Sequence, residues 1–134
     1  MGIVLDADVV IRGERGTFDL AAWIGARPEE TFAIAAITVA ELWHGVERAT
    51  GTRRKTREAY LQAIVSQLKK FSYTSDTALL HARIWAELES TGVTIGSYDL
   101  IVAATALEQN FAVATFNQKH FQAVAGLTVL VPAN

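Results

Sequence analysis

The sequence predicts an α/β protein, a three-layer α/β/α sandwich around a central parallel sheet of four or five strands. The strand candidates are short, continuous apolar runs, as expected when helices cover both faces of a sheet. They alternate along the chain with helical segments, which implies parallel pairing through right-handed crossovers. The chain has 134 residues, of which 51% are hydrophobic and 19% charged, and it shows no linker or repeat. We therefore expect one domain spanning residues 1–134.

The strand and helix positions follow from apolar runs, helical periodicity and end signals. Strands are predicted at 2–5, 32–37, 71–74, 112–115 and 127–131. Helices are predicted at 17–26, from Thr38 onward, and at 54–69, 75–90 and 97–109. Thr38 and Glu41 have the spacing of a capping box, Ser75 or Asp76 and Ser97 are expected helix caps, and Gly92 is an expected helix end.

Polar side chains follow the predicted strands at one edge of the sheet. Asp6 follows the first strand, Glu41 lies just after the second, Asp99 lies in the first turn of its helix, and Asn117 follows the fourth strand. Ligands of parallel α/β sheets bind beyond the carboxyl ends of the strands. Carboxylates there suit Mg²⁺ or Mn²⁺, which stabilise phosphoryl charge and help to generate hydroxide. Asp6, Glu41 and Asp99 are therefore the predicted metal ligands.

Each of these polar residues also has a purely structural explanation. Asp6 could cap a short helix or turn, Glu41 could serve only the capping box, and Asp99 could only favour its helix dipole. Asp8 could hold the loop or a water near the metal, and Asn117 could form a turn. Their joint occurrence at one sheet edge favours the functional interpretation.

The composition limits where the protein acts and how it could attract an anionic partner. The absence of cysteine excludes disulfides and thiolate metal sites and fits a reducing cytosol. The N-terminal run is too short for a membrane span and does not resemble a signal peptide. We expect a cytoplasmic protein without membrane association. Because the formal net charge is −2, binding of phosphates would need a local basic patch or bound metal ions.

Four sequence segments resemble the motifs of the PIN-domain ribonuclease family. They are LDAD at 5–8, ITVAELWHGV at 37–46, GVTIGSYDLIVAATAL at 92–107 and ATFNQKHF at 114–121. The segments follow the family's order and spacing over nearly the whole chain. The resemblance is to the VapC-type toxins of this family.

The resemblance implies an Mg²⁺- or Mn²⁺-dependent endoribonuclease, the toxin of a type II toxin–antitoxin system. Its substrate would be transfer or ribosomal RNA, and its partners a cognate antitoxin, whose tail covers the site, and a second protomer. Asp6, Glu41, Asp99 and Asn117 fall on the catalytic positions of the family, with Thr115 and Asp8 in supporting positions. The chain departs from the pattern at Ala7, where Ser or Thr is common, and at Asp8, where Asn is usual.

A dense basic cluster is a candidate for RNA contact. It consists of Arg53, Arg54, Lys55 and Arg57. Positive charge at a helix start opposes the helix dipole, so local stability explains it poorly. A solvated loop is the alternative explanation.

Other functions share parts of this pattern. A haloacid-dehalogenase-like phosphatase would use Asp6 as its nucleophile, but it also needs a later acid pair, and the segment containing Lys119 lacks one. A receiver domain would need an aspartate at the end of a mid-chain strand. A non-catalytic binding domain of the same fold is a third alternative.

Glu41 and His44 form one E-x-x-H pair, whereas a di-iron bundle requires two. His81 and His120 are expected to be surface or packing residues rather than metal ligands.

Overall fold

A computed structural model describes residues 1–133 and contains a five-stranded parallel sheet in the order β3-β2-β1-β4-β5. Its strands are β1 Gly2–Leu5, β2 Thr31–Ala35, β3 Lys69–Phe71, β4 Ala112–Ala114 and β5 Val129–Leu130. The central strand β1 pairs with β2 and β4, so that Val4 lies opposite both Ala33 and Val113. The predicted parallel α/β sheet is confirmed.

Seven helices connect and cover these strands within residues 1–133. They are α1 Ala7–Arg15, α2 Leu20–Gly25, α3 Ala36–Arg48, α4 Gly51–Val65, α5 Ser75–Ser90, α6 Ser97–Gln109 and α7 Gln118–Phe121. Among the residues described, no helix combines the length and apolar character needed to cross a membrane.

Two apolar cores lie on opposite faces of the sheet, because successive side chains of a strand point in opposite directions. Ile3, Leu5 and Ile34 belong to the core packed against α1, α2 and α4. Val4 and Val113 belong to the core packed against α5 and α6. This arrangement is the predicted three-layer sandwich, and it fixes the carboxyl ends of β1, β2 and β4 side by side.

The start of α3 differs from the prediction. The helix begins at Ala36, directly after β2, and Ala35 precedes it without a side-chain cap. Thr38 is a buried residue inside the helix, so the predicted capping box of Thr38 and Glu41 is wrong. The helix starts early because the chain passes from β2 into α3 without a connecting loop, and because Thr38 is buried inside the helix rather than exposed at its end. Glu41 is therefore not required to cap the helix.

Other element boundaries also shift. Helix α4 starts three residues and ends four residues before the predicted 54–69, and β3 overlaps the predicted 71–74 only at Phe71. The chain leaves the sheet after Phe71 because Thr74, with Thr77, forms the capping box of α5 in place of the expected Ser75 or Asp76. Gly96, rather than Ser97, is the N-cap of α6. Helices α1 and α7 were not predicted.

Candidate active site at the carboxyl edge of the sheet

Asp6 and Thr115 meet where two neighbouring strands end. Leu5 pairs with Ala114 in the sheet, so the residues that follow them lie side by side. The Thr115 hydroxyl donates a 2.9 Å hydrogen bond to Asp6 Oδ2, and the Ala7 N–H donates one of 2.9 Å to Asp6 Oδ1. Asp6 is only 5% exposed. It caps helix α1 and also lies at the carboxyl edge, so both sequence-based explanations of this residue hold together.

Asp8 connects α1 to the segment that follows β4. The Phe116 N–H donates a 3.0 Å hydrogen bond to Asp8 Oδ2, and the Thr115 hydroxyl lies 3.5 Å from both oxygens of Asp8. The Asn117 N–H in turn donates a 2.9 Å hydrogen bond to Thr115 Oγ1. The Asn117 residue itself is exposed. Thr115 thus organises the loop through its hydroxyl, and Asp8 is held by the same loop.

Glu41 and Asp99 approach from the two helices that begin at this edge. Glu41 is half-buried on α3, and Asp99 is half-buried in the first turn of α6. Asp99 Oδ2 lies 2.7 Å from His120 Nδ1, in an ion pair when the imidazole is protonated. His120 is exposed, as expected from the sequence, but it contacts a predicted metal ligand.

Three carboxyl groups at this edge, those of Asp6, Asp8 and Glu41, have raised pKa values, mainly because they are buried. Burial raises the pKa of Asp6 to about 7, and the charges of Asp8 and Asp99 add to this shift. Burial also raises the pKa of Asp8, although the Phe116 N–H and Arg12 oppose the change. The pKa of Glu41 is raised by burial and then by Asp99 and Asp8. Asp6, Asp8, Glu41 and Asp99 are thus within electrostatic reach of one another, and a bound cation would relieve their repulsion.

The donor chemistry of this acidic site fits a hard divalent cation. Its side chains offer carboxylate oxygens, which Mg²⁺ and Mn²⁺ prefer. Within residues 1–133, no three acidic, histidine or cysteine side chains already form a cluster that could hold a metal ion. Asp6 is held by Thr115 and Asp99 by His120, so binding would require adjustment of these side chains. The residues fit the metal chemically, although their positions are not those of a closed coordination shell.

Arg12 is a residue at this site that sequence reasoning missed. Its guanidinium lies 4.1 Å from the centroid of the Phe116 ring, and its charge lowers the pKa of Asp8. Asp8 and Arg12 are four residues apart on α1, a spacing that brings side chains together on a helix. That spacing could have identified Arg12. His120 had no such signal, because it is 21 residues from Asp99.

The predicted basic cluster divides between two surfaces. Arg53 and Arg57 line a groove of about 390 Å³ between α3 and α4, termed here the α3–α4 groove; its other lining residues are Glu41, His44, Gly45, Arg48 and Ala49. Arg54 instead forms a 3.1 Å ion pair with Glu47. Neither Arg54 nor the exposed Lys55 lines the groove. Only half of the cluster therefore adjoins the acidic site.

Comparison with known proteins identifies the family. The family model of the PIN domain matches residues 3–127. The chain belongs to the PIN-domain family. Ribonuclease VapC1 of Rickettsia felis is 28% identical over 131 residues, covering 97% of this chain and 96% of that protein. VapC ribonuclease Y4jK of Sinorhizobium fredii is 34% identical over 138 residues, with 97% and 96% coverage. The VapC-type resemblance predicted from the four motifs is confirmed.

Solved structures share the fold over nearly the whole chain. The crystal structure of VapBC2 from Rickettsia felis, bound to a DNA fragment from their promoter, matches with a TM-score of 0.87 and 24% identity. The match covers 96% of this chain and 97% of that one. At this identity the likeness establishes the PIN-domain fold.

Proposed function

We propose that this PIN-domain protein is a metal-dependent endoribonuclease that acts as the toxin of a type II toxin–antitoxin system. The observation that carries the proposal is the meeting of Asp6, Asp8, Glu41 and Asp99 at one sheet edge, where each of the first three has a raised pKa. The VapC ribonucleases among its relatives support RNA as the substrate.

The proposed mechanism assigns a role to each side chain. Asp6, Glu41 and Asp99 would hold Mg²⁺ or Mn²⁺. When bound, the cation supplies Lewis acidity, which neutralises phosphoryl charge and lowers the pKa of water. In-line attack of water on phosphorus forms a new P–O bond as the bond to the 3′ oxygen breaks; the water loses a proton to solvent and the 3′ oxygen gains one, which leaves a 5′-phosphate and a 3′-hydroxyl. The exposed Asn117 positions the water or the phosphate. Thr115 was expected to share this task, but it is buried and acts instead by holding Asp6 and the Asn117 N–H. No histidine acts as a general base.

Asp8 and Arg12 support this arrangement in the proposal. Asp8 fixes the loop after β4 through the Phe116 N–H. The positive charge of Arg12 partly offsets the charge that Asp8 adds where Asn is usual. This pairing explains how the chain tolerates its departure from the family pattern at position 8. Ala7 supplies its backbone N–H to Asp6, a role that does not need a hydroxyl side chain.

The test is RNA cleavage by single isosteric variants. Asp6→Asn and Asp99→Asn should each lower cleavage with Mn²⁺ by at least about 100-fold, since even supporting residues of metal sites contribute about 10–100-fold. Asp76→Asn is the matched control, because Asp76 is exposed at the start of α5. Full activity of either site variant would contradict the metal assignment. Release of phosphate from small esters without RNA cleavage would favour the phosphatase alternative.

The partners are part of the same proposal. A cognate antitoxin is supported by the VapBC structure from Rickettsia felis, and we expect its binding to inhibit cleavage. A homodimer is supported by the apolar side chains that α5 exposes, Leu79 and Trp85. Light scattering that finds a monomer at high concentration would contradict the dimer. Transfer or ribosomal RNA as target and a cytoplasmic location remain predictions from the sequence.

A further inference from the structure

The α3–α4 groove begins at a proposed catalytic residue. Glu41 lines one part of it, and His44, Gly45 and Arg48 line it from the same helix. These positions share a helix face, because they are three, four and seven residues beyond Glu41. One surface of α3 therefore carries Glu41 of the acidic site and, directly beyond it, the side chains of His44 and Arg48.

Helix α4 supplies the opposite wall of the groove with two further arginines. Arg57 is 20% exposed, and its Nε lies 3.1 Å from Glu14 Oε2. Its guanidinium packs against α3 where Gly45 leaves room, since a Cβ at position 45 would lie 2.8 Å from Arg57 Cζ. Arg48 and Arg53 are exposed. Glu14 thus holds Arg57 in the wall, whereas Arg48 and Arg53 present their charge to solvent.

The position of Arg53 opposes the stability of its own helix. Helix α4 begins at Gly51, which places Arg53 in the first turn. A cation there faces the positive end of the helix dipole, which is unfavourable for the helix. The same dipole and the guanidinium groups together attract anions. The groove is therefore a local positive surface on a chain whose formal net charge is −2.

We propose that the α3–α4 groove binds the phosphodiester backbone of the RNA strand next to the bond that is cut, with Arg48 and Arg53 as the phosphate contacts. The proposal rests on the endoribonuclease function above and adds the path of the substrate. Arginine suits this task because its planar donors match phosphate oxygens. His44, between Glu41 and Arg48, faces the nucleotide nearest the acidic site. Arg54 and Lys55, although adjacent in sequence, lie outside the path.

The test compares two double variants that each remove two positive charges from the same stretch of chain. Arg48→Gln/Arg53→Gln changes the groove, and Arg54→Gln/Lys55→Gln is the matched control. The Michaelis constant KM and kcat are measured on a short single-stranded RNA with Mn²⁺ at several salt concentrations. Binding of the same RNA is measured separately by fluorescence anisotropy in EDTA. Circular dichroism melts verify that both variants are folded.

The groove variant should raise KM with little change in kcat. The slope of log affinity against log salt concentration should become less steep by about 1.4 in the groove variant, because it loses two phosphate contacts and each contact on a single strand contributes about 0.7 to the slope. The control should keep most of the wild-type slope, because Arg54 already pairs with Glu47 and neither Arg54 nor Lys55 lines the groove. A variant with both arginines replaced by lysine should recover most of the slope, because the charge remains.

Two results would overturn the proposal. The first is an equal loss of slope in both double variants, which would indicate only general attraction by the protein's charge. The second is unchanged RNA binding with weakened antitoxin affinity, which would assign the groove to an acidic segment of the antitoxin. A third result would separate the two proposals. If the wild-type protein cuts no RNA but binds it in a salt-dependent way that requires the groove arginines, the groove assignment is supported and the endoribonuclease function is contradicted.

Discussion

Replacement of Asp6 by Asn should stabilise the metal-free protein while it abolishes cleavage. Burial raises the pKa of Asp6 from 3.8 to about 7. Because the folded protein then binds a proton more tightly than the unfolded chain, stability falls as the pH rises through this window. Asn has the same shape, can still cap α1, and carries no charge. The Asp6→Asn variant therefore lacks the cost of ionising a buried carboxyl group.

The size of the effect follows from the pKa difference. The pKa of Asp6 is about three higher in the folded protein, and at about 1.36 kcal/mol for each step of one in pKa this gives an upper limit of roughly 4 kcal/mol at pH 8. Between pH 5 and pH 8 the wild-type protein should lose roughly 3 kcal/mol of stability from this group. Asp8 and Glu41 add losses of the same sign, because their pKa values are also raised. Bound Mn²⁺ should remove most of the difference between wild type and variant.

Urea unfolding in EDTA at pH 5, 6, 7 and 8 measures the free energy of unfolding of both proteins. Asp76→Asn serves as the control for a general charge effect, because Asp76 is exposed. We expect Asp6→Asn to be more stable than wild type at pH 8 and the gap to narrow toward pH 5. An Asp6→Asn variant less stable than wild type at pH 8 would refute the argument that the buried carboxyl group of Asp6 is costly to ionise.

Three further variants test separate contacts. Thr115→Val removes the hydroxyl that donates a hydrogen bond to Asp6 and accepts one from the Asn117 N–H. This variant should lose about 1–3 kcal/mol of unfolding free energy in urea and about 10–100-fold in cleavage rate. Thr115→Ser keeps the hydroxyl and should retain both the stability and the cleavage activity. Arg12→Gln removes a cation that partly offsets the burial-raised pKa of Asp8. NMR titration of the Asp8 carboxyl carbon should find a higher pKa in the variant than in the wild type, and an unchanged value would contradict the pairing. Glu14→Gln leaves the largely buried guanidinium of Arg57 without its ion-pair partner; it should lower the free energy of unfolding by about 1–3 kcal/mol, and a neutral result would mean that solvent compensates for the lost contact.

The fold was predictable because its strongest signals are local. Short apolar runs that alternate with helical periodicity specify a parallel sheet, and the five strands lie within two or three residues of their expected positions. The boundaries were less predictable because tertiary burial decides them. Thr38 has the sequence signature of a cap, yet it is buried inside α3. Helix α1 was missed although Asp6 caps it and Gly16 ends it in the left-handed conformation.

The placement of the acids of the candidate site at one sheet edge was predictable, whereas their supporting contacts were not. Asp6, Glu41 and Asp99 were expected at one edge because parallel strands end there. The hydrogen bond between Thr115 and Asp6 joins residues 109 positions apart, and the contact between His120 and Asp99 depends on how α6 and α7 pack. No local pattern encodes either distance.

The basic cluster illustrates the same limit. Helical periodicity places Arg53 and Arg57 on one face of α4 and turns Arg54 and Lys55 away. The sequence alone does not tell which face packs beside Glu41, because that depends on the pairing of α3 with α4. The structure resolves this point, since Arg53 and Arg57 line the groove and Arg54 pairs with Glu47.

Crystals grown with Mn²⁺, with anomalous diffraction collected at the manganese absorption edge, test the proposed metal centre most directly. We expect an anomalous peak within about 2.0–2.2 Å of oxygens from Asp6 and Asp99, with Glu41 bound directly or through water, and with Asp99 released from His120. A peak at some other place on the molecule, or no peak at millimolar Mn²⁺ while Asp99 stays on His120, would contradict it.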